Sequence, residues 1–263
     1  MLPIDSFLQY PTDENVCAFS TKRRGMGASK GKYSCLNVNP FCGDDPVAVA
    51  ENMNLLANVL ELPVSHIVLP HQVHTDKIAM IGNDFFDRNE DERKNFLDGV
   101  DVVATGLRNV CVGVSTADCV PLLLYDKGLS FVAAVHAGWR GTVVRIAQTA
   151  AVKVCEVFNC SPENMKAVIG PSISMDAFEV GDEVYEAFSA NGFRMNCMSQ
   201  RVGSRWHIDL WEANRRQLIE AGVNDENIHV AGICTFGNNK DFFSARRQTI
   251  NSGRIFSGIF IRG

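Results

Sequence analysis

The stretch STADCVPLLLYDKGLSFVAAVHAGWRGT (115–142) sets one thiol and one imidazole at the ends of two apolar runs. Cys119 opens the first run beside Asp118, and His136 closes the second. The runs VPLLLYD and LSFVAAVH, joined by a Lys-Gly pair, read as an antiparallel hairpin. In a hairpin the start of the first strand lies beside the end of the second, so Cys119 and His136 are predicted neighbours. Taken singly, a Cys at a strand end is ordinarily a small core residue, and a His after an apolar run is ordinarily structural. Their joint placement at one hairpin mouth is what points to chemistry.

Further imidazoles come from PHQVHTDKI, which carries His71 and His74. If this segment continues as a strand, residues three apart face opposite ways, and only one of the two reaches a shared site. Two His and one Cys suit Zn²⁺ with an open fourth position, the pattern of catalytic rather than closed structural sites. His66, His207 and His229 lie in unrelated contexts, and no HxH pair exists.

Arg140 stands between Trp139 and Gly141 at the start of a predicted helix. A helix N-terminus offers unpaired N–H groups and positive potential to an anion, and an Arg there adds a planar donor fork. The same residue also reads as a solvated surface Arg. Lys22, Arg23 and Arg24 lie in the glycine-rich loop FSTKRRGMGASKGKYSCLNV, which is neither a P-loop nor a GxGxxG fingerprint. Such a loop reads either as a cover over substrate or as solvated chain. FFSARRQTINSGR adds Arg246, Arg247 and Arg254 behind Phe242 and Phe243.

These residues need elements to hold them. GDDPVAVAENMNLLANVLEL predicts a helix capped by Asp45 with Pro46 at its first position, and Val49, Met53, Leu56 and Leu60 recur at helical spacing. HIVLPHQVHTDKIAMI reads as strand, break, strand. VDVVATG, VCVGVS, VPLLLYD, LSFVAAVH, KAVIGPSI, IHVAGICTF and RIFSGIFI read as further strands. GTVVRIAQTAAVKVCEVF reads as one helix with Val143, Ala147, Ala150, Val154 and Val157 on one face. GDEVYEAFSA and DLWEANRRQLIEAG read as helices, the second capped by Asp209 and stopped by Gly222. The polar stretch 82–99 reads as a loop or short helix, too short and too rich in Phe for a linker. One domain over 1–263 is expected. Strands outnumber helices without regular βαβ alternation, which disfavours a doubly wound fold. The expectation is α+β: mixed sheets in a layered α/β/β/α sandwich, helices outside.

Composition excludes several classes. A net charge of −5 gives no electrostatic reason for nucleic-acid binding. No apolar run is long enough to span a membrane, and the N-terminus lacks a basic start and an apolar core for a signal peptide. Nine cysteines, an odd number without framework spacing, favour free thiols in a reducing cytoplasm.

STADCVPLLLYD with VAAVHAGWRGT, taken with AFSTKRRGMGASKGKYSCLNV, GDDPVAVAEN, QVHTDKI, IGPSISMDAFEVGDEV and FFSARR, resembles the laccase-domain proteins. These are also called multicopper polyphenol oxidase-like and are now viewed as purine nucleoside phosphorylases. The resemblance covers nearly the whole chain. The family pattern takes a His after Gln-X, the Cys of ADC and the His of HAGWRG, which implies His74, Cys119 and His136 as zinc ligands and leaves His71 outside. Within the matching motifs, Arg140, Arg23, Arg24, Asn37, Gln72 and Arg246 are the substrate-binding candidates. Two departures stand out: RRGMG replaces the family's R-x-G-G, and Met175 and Asp176 stand where the family often has Cys.

The resemblance implies phosphorolysis of adenosine, inosine or methylthioadenosine, with adenosine deamination at the same site. The partners are then purine nucleosides and phosphate. Asp118 would act as acid/base or orient a ligand. Cu²⁺ also suits the three ligands, but six His without an HxH pair cannot build a multicopper oxidase centre. One rival is a cysteine hydrolase with Cys119 as nucleophile and His136 as base, since some family members are named peptidoglycan-editing factors. A second is a binding protein that kept the pocket.

Overall fold

A computed structural model describes residues 2–263. A five-stranded sheet has the order β1 (Phe7–Gln9), β2 (Val16–Thr21), β14 (Ile255–Ile261), β6 (Cys111–Thr116), β3 (Ile67–Val68). A six-stranded sheet has the order β13 (Ile228–Val230), β9 (Met165–Ile169), β7 (Val120–Asp126), β8 (Val132–Ala137), β5 (Val102–Thr105), β4 (Ile78–Ile81). Both are mixed: β3 pairs parallel with β6, β13 with β9 and β4 with β5, and the other pairs are antiparallel. A small antiparallel sheet of β10 (Glu179–Val180), β12 (Arg205–Ile208) and β11 (Ser199–Val202) lies beside them.

Alternation along the strands explains the layering. In β7, Leu123 and Tyr125 pack with Val112, Val114 and Ile259 of the five-stranded sheet. Leu122 and Leu124 point the other way, against Ile146, Ala147, Ala150 and Val154. In β14, Phe256 and Phe260 turn outward onto Leu56, Ala57 and Leu60 of α1 (Pro46–Leu60). Both sheets are thus covered on both faces, and their strands read as unbroken apolar runs. Full burial of each such Leu or Phe contributes roughly 1.5–3 kcal/mol. The result is the α/β/β/α order expected, with α1 on one side and α5 (Ile146–Phe158) and α7 (Leu210–Glu220) on the other.

Local signals carried over well. Asp45 accepts from the Val47 N–H at the start of α1, and Asp209 accepts from the Glu212 N–H at the start of α7. The segment 82–99 folds into α2 (Asn83–Asp87) and α3 (Glu90–Leu97), the latter opened by an Asn89–Glu92 capping box. α6 (Asp182–Ala190) and α8 (Ala245–Gln248) complete the helices with α4 (Trp139–Val143). Among the described residues no helix is long and apolar enough to cross a membrane.

Three expectations are corrected. The helix expected over GTVVRIAQTAAVKVCEVF is two: α4 ends at Val143, and Arg145 takes a left-handed conformation (φ 61°) before α5. The break leaves Val144 in solvent and lets Ile146 reach the core. Val157 is exposed, because the apolar stripe runs through Ala147, Ala150, Ala151, Val154 and Cys155 towards Phe158, one residue beyond it. The segment around His71–His74 is not strand. It crosses from β3 in one sheet to β4 in the other, and the turn at its middle carries His74 at the edge of the sandwich.

Candidate metal centre

The β7–β8 hairpin forms as its sequence reads, with Pro121 opposite His136 and Val120 opposite Ala137. Cys119, immediately before β7, therefore stands at the mouth beside the end of β8. The crossing segment brings in His74, whose backbone is left-handed (φ 65°). That conformation is uncommon for a residue with a side chain and persists only where the surroundings fix it. Asp101 fixes it. Its Oδ2 accepts from Thr75 N (2.8 Å), Thr75 Oγ1 (2.9 Å) and Val73 N (3.3 Å), and its Oδ1 accepts from His74 N (3.2 Å).

The ligand-type atoms of His74, Cys119 and His136 lie within 4.8 Å of one another. Cys119 Sγ is 3.7 Å from His74 Nε2, and the two imidazole centroids are 4.7 Å apart. His74 is exposed, Cys119 half-buried and His136 buried. Gly138 keeps the cluster compact: a Cβ there would meet His74 Cδ2 at 2.7 Å and Cys119 Sγ at 3.2 Å.

Asp101 also bonds His136, its Oδ1 lying 2.6 Å from Nδ1. This carboxylate is fully buried, so it must be paired. The pairing keeps a hydrogen on Nδ1, so Nε2 is the nitrogen that would ligate once its own proton is displaced. Burial disfavours a charged His136, but the neighbouring Cys119 thiolate and Asp101 outweigh it and raise its pKa to about 9. Burial likewise pushes the Cys119 thiol up, yet the His136 charge and hydrogen bonds from both imidazoles bring it down to about 6. For Asp101, burial is overcome by the His136 and Thr75 bonds, and its pKa is lowered. A ready thiolate and two imidazoles, one of them oriented by a carboxylate, are the donor set of a borderline metal ion.

A cleft of about 260 Å³ opens on the cluster, lined among others by Phe41, Gln72, Ser115, Thr116 and Arg254. Gln72 exchanges two hydrogen bonds with the Ser115 backbone, pinning the crossing segment to β6. The hydroxyls of Ser115 and Thr116 find no protein partner. Arg254 lines the cleft while its guanidinium holds the carbonyls of Ile250, Ser252 and Gly253.

The other sequence candidates lie elsewhere. Asp118 faces away from the imidazoles: Oδ1 accepts from Thr235 Oγ1 (2.6 Å) and Oδ2 from Arg246 N (2.7 Å). Arg246 directs its guanidinium to the Glu179 carbonyl. Arg140 is exposed, its guanidinium 4.3 Å from the Trp139 ring, and does not line the cleft. Arg23 donates to the carbonyls of Asn239 and Ser34, and Arg24 pairs with Asp241. Asn37 is fully buried and bonds Asp44 and the Arg254 N–H. His71 does not reach the cluster; its Nδ1 pairs with Asp98 at 2.7 Å and its ring lies against Phe41.

Sequence reasoning missed Asp101 and Gly138. A lone Asp at the head of the valine run VDVVATG was the available signal, because a charge entering a buried strand needs a partner.

Comparison with known proteins agrees over the whole chain. The chain is 43% identical to a purine nucleoside phosphorylase of Bacteroides thetaiotaomicron, over 99% of this chain and 96% of that one. It is 42% identical to adenosine deaminase RL5 of an unknown prokaryotic organism, over 94% of each. The crystal structure of YlmD from Geobacillus stearothermophilus superposes with a TM-score of 0.91 at 29% identity, covering 100% of this chain and 98% of that one. The family described as multi-copper polyphenol oxidoreductase laccase matches residues 17–262, and the chain belongs to it.

Proposed function

We propose that the chain is a zinc-dependent purine nucleoside phosphorylase, cleaving adenosine, inosine or methylthioadenosine with phosphate, and that it also deaminates adenosine. The observation that carries this is the His74–Cys119–His136 cluster with Asp101 behind His136. The names of relatives at 42–43% identity support it, one a phosphorylase and one a deaminase. The residues fit zinc: three N/S donors converge, one imidazole is oriented by a carboxylate, and the cleft leaves a side open. Zn²⁺ held by His74, Cys119 and His136 would supply Lewis acidity to this chemistry.

The chain's own groups do the rest. Asp101 holds the proton on His136 Nδ1 and fixes the turn that presents His74. The half-exposed Phe41 ring offers an apolar face to a purine. Arg254, rather than Arg140, is the cation placed to receive phosphate, because it lines the cleft. Asp118 acts as a positioning residue that ties Thr235 and the start of α8 beside Cys119. Copper suits the same donors, but this is one three-ligand group, and six His leave no trinuclear cluster. The order Cys119–His136–Asp101 would also serve a thiol hydrolase, a reading the relatives' names do not favour. Nine free cysteines fit a reducing cytoplasm.

The test is a metal-quantified assay of the purified protein on a nucleoside panel, with and without phosphate. One zinc per chain, base release that requires phosphate and deamination that does not are the expected results. Nucleoside binding without turnover would overturn the enzymatic reading. Turnover unaffected by chelation would overturn the role of the metal.

A further inference from the structure

We propose that Cys155 and Cys160, outside the metal site, form a dithiol that a hydroperoxide converts reversibly to an intrachain disulfide. α5 ends at Phe158, and Asn159 follows in a left-handed conformation (φ 52°, ψ 49°). That cap turns the chain back on the helix, and the Cys160 N–H donates to the Cys155 carbonyl at 3.1 Å. A backbone bond between the two residues keeps them within bridging range. The side chains complete the approach, with Cys160 Sγ 2.7 Å from Cys155 Sγ. Among the described residues no other two thiols are hydrogen bonded to each other, and all nine are free.
 The two sulfurs differ in access. Cys155 is buried in the core against the six-stranded sheet, whereas Cys160 is half-buried at the start of the following loop. Cys160 is therefore where the oxidant enters. Its thiolate attacks one peroxide oxygen, the O–O bond breaks, and the leaving alkoxide or hydroxide takes a proton. Cys155 sulfur then attacks the resulting sulfenic acid; the S–S bond forms, the S–O bond breaks, and water leaves with the Cys155 proton. The peroxide gains two electrons and the thiol pair loses two. Burial pushes both thiols up, so the first step is slow, whereas contact between the sulfurs makes the second fast. The product staples the last turn of α5 to the chain that leads into β9.

The experiment uses the full-length, metal-loaded protein. Hydrogen peroxide is added, remaining thiols are blocked with iodoacetamide, and the tryptic peptide 154–166, which carries both cysteines between Lys153 and Lys166, is weighed. The expected product has lost two hydrogens and carries no alkyl group, reverts with dithiothreitol, and accompanies a rise in the thermal midpoint. Cys160→Ser should leave Cys155 reduced and alkylated under the same treatment, with the midpoint unmoved by peroxide. A peptide alkylated twice, or Cys160 carried on to sulfinic acid with Cys155 still reduced, would overturn the proposal.

Discussion

Two aspartates flank the His74–Cys119–His136 cluster, and they behave differently. Asp118 adjoins Cys119 in sequence, yet its carboxylate turns away to Thr235 and the Arg246 N–H. Asp101 is distant in sequence from both Cys119 and His74, yet it bonds His136 Nδ1 and cradles the backbone of Val73, His74 and Thr75. Asp101 is wholly buried and holds the His136 ring together with the backbone turn at His74; Asp118 is half-buried and holds Thr235 and the start of α8. A carboxylate's role beside such a cluster follows from which hydrogens reach its oxygens, not from adjacency in sequence. A buried carboxylate with a charged partner tunes that partner strongly, because the surroundings screen little.

The largest effect comes from removing members of the cluster itself. Cys119→Ala and His136→Ala should each abolish metal binding and nucleoside turnover; stoichiometric zinc in either purified variant would break the three-ligand reading. His74→Ala should follow closely, whereas His71→Ala should leave zinc content near that of the parent, since His71 pairs with Asp98 outside the cluster. Equal zinc loss in both would mean that the crossing segment is placed wrongly.

The next effect separates the two aspartates directly. Asp101→Asn should weaken metal affinity by about 10–100-fold, as loss of a carboxylate behind a ligating imidazole does. Asp118→Asn should leave metal affinity near the parent value and instead raise KM, through loosened segments around Thr235 and α8. Competition with a zinc chelator reads the first and steady-state kinetics the second. Equal affinity losses would erase the distinction.

A pH measurement sharpens it further. In metal-stripped protein, alkylation of Cys119 by iodoacetamide should be half-maximal near pH 6, where its thiolate forms. Asp101→Asn should move that midpoint upward, because Asp101 helps keep His136 cationic and the cation holds the thiol down. Asp118→Asn should not move it. An unchanged midpoint in Asp101→Asn would show that His136 stays charged without its carboxylate.

The smallest effect is expected at the arginines exposed away from the cleft. Arg140→Lys should change the KM for phosphate by less than Arg254→Lys does, because only Arg254 lines the cleft. The reverse order, measured with inosine and varied phosphate, would return the anion to the start of α4.

The sequence by itself determined the local pieces. Asp45 and Pro46 start α1, Asp209 starts α7, and VPLLLYD with LSFVAAVH closes the hairpin that brings Cys119 to His136. Each of these rests on residues a few positions apart, whose spacing fixes which backbone groups and side chains meet. Mixed sheets with helices outside were also legible, because strands outnumber helices without regular βαβ alternation. Only the tertiary structure decided that the segment after β3 crosses between the sheets and turns at a left-handed His74. It alone showed that Asp101, at the head of β5, joins the His136 imidazole to the backbone of His74, and that Arg140 belongs to a short helix broken off from α5. The physical reason is the order of strands in the sheets. β5 pairs with β8 and with β4, and this non-local pairing places one carboxylate between two histidines that no sequence period relates.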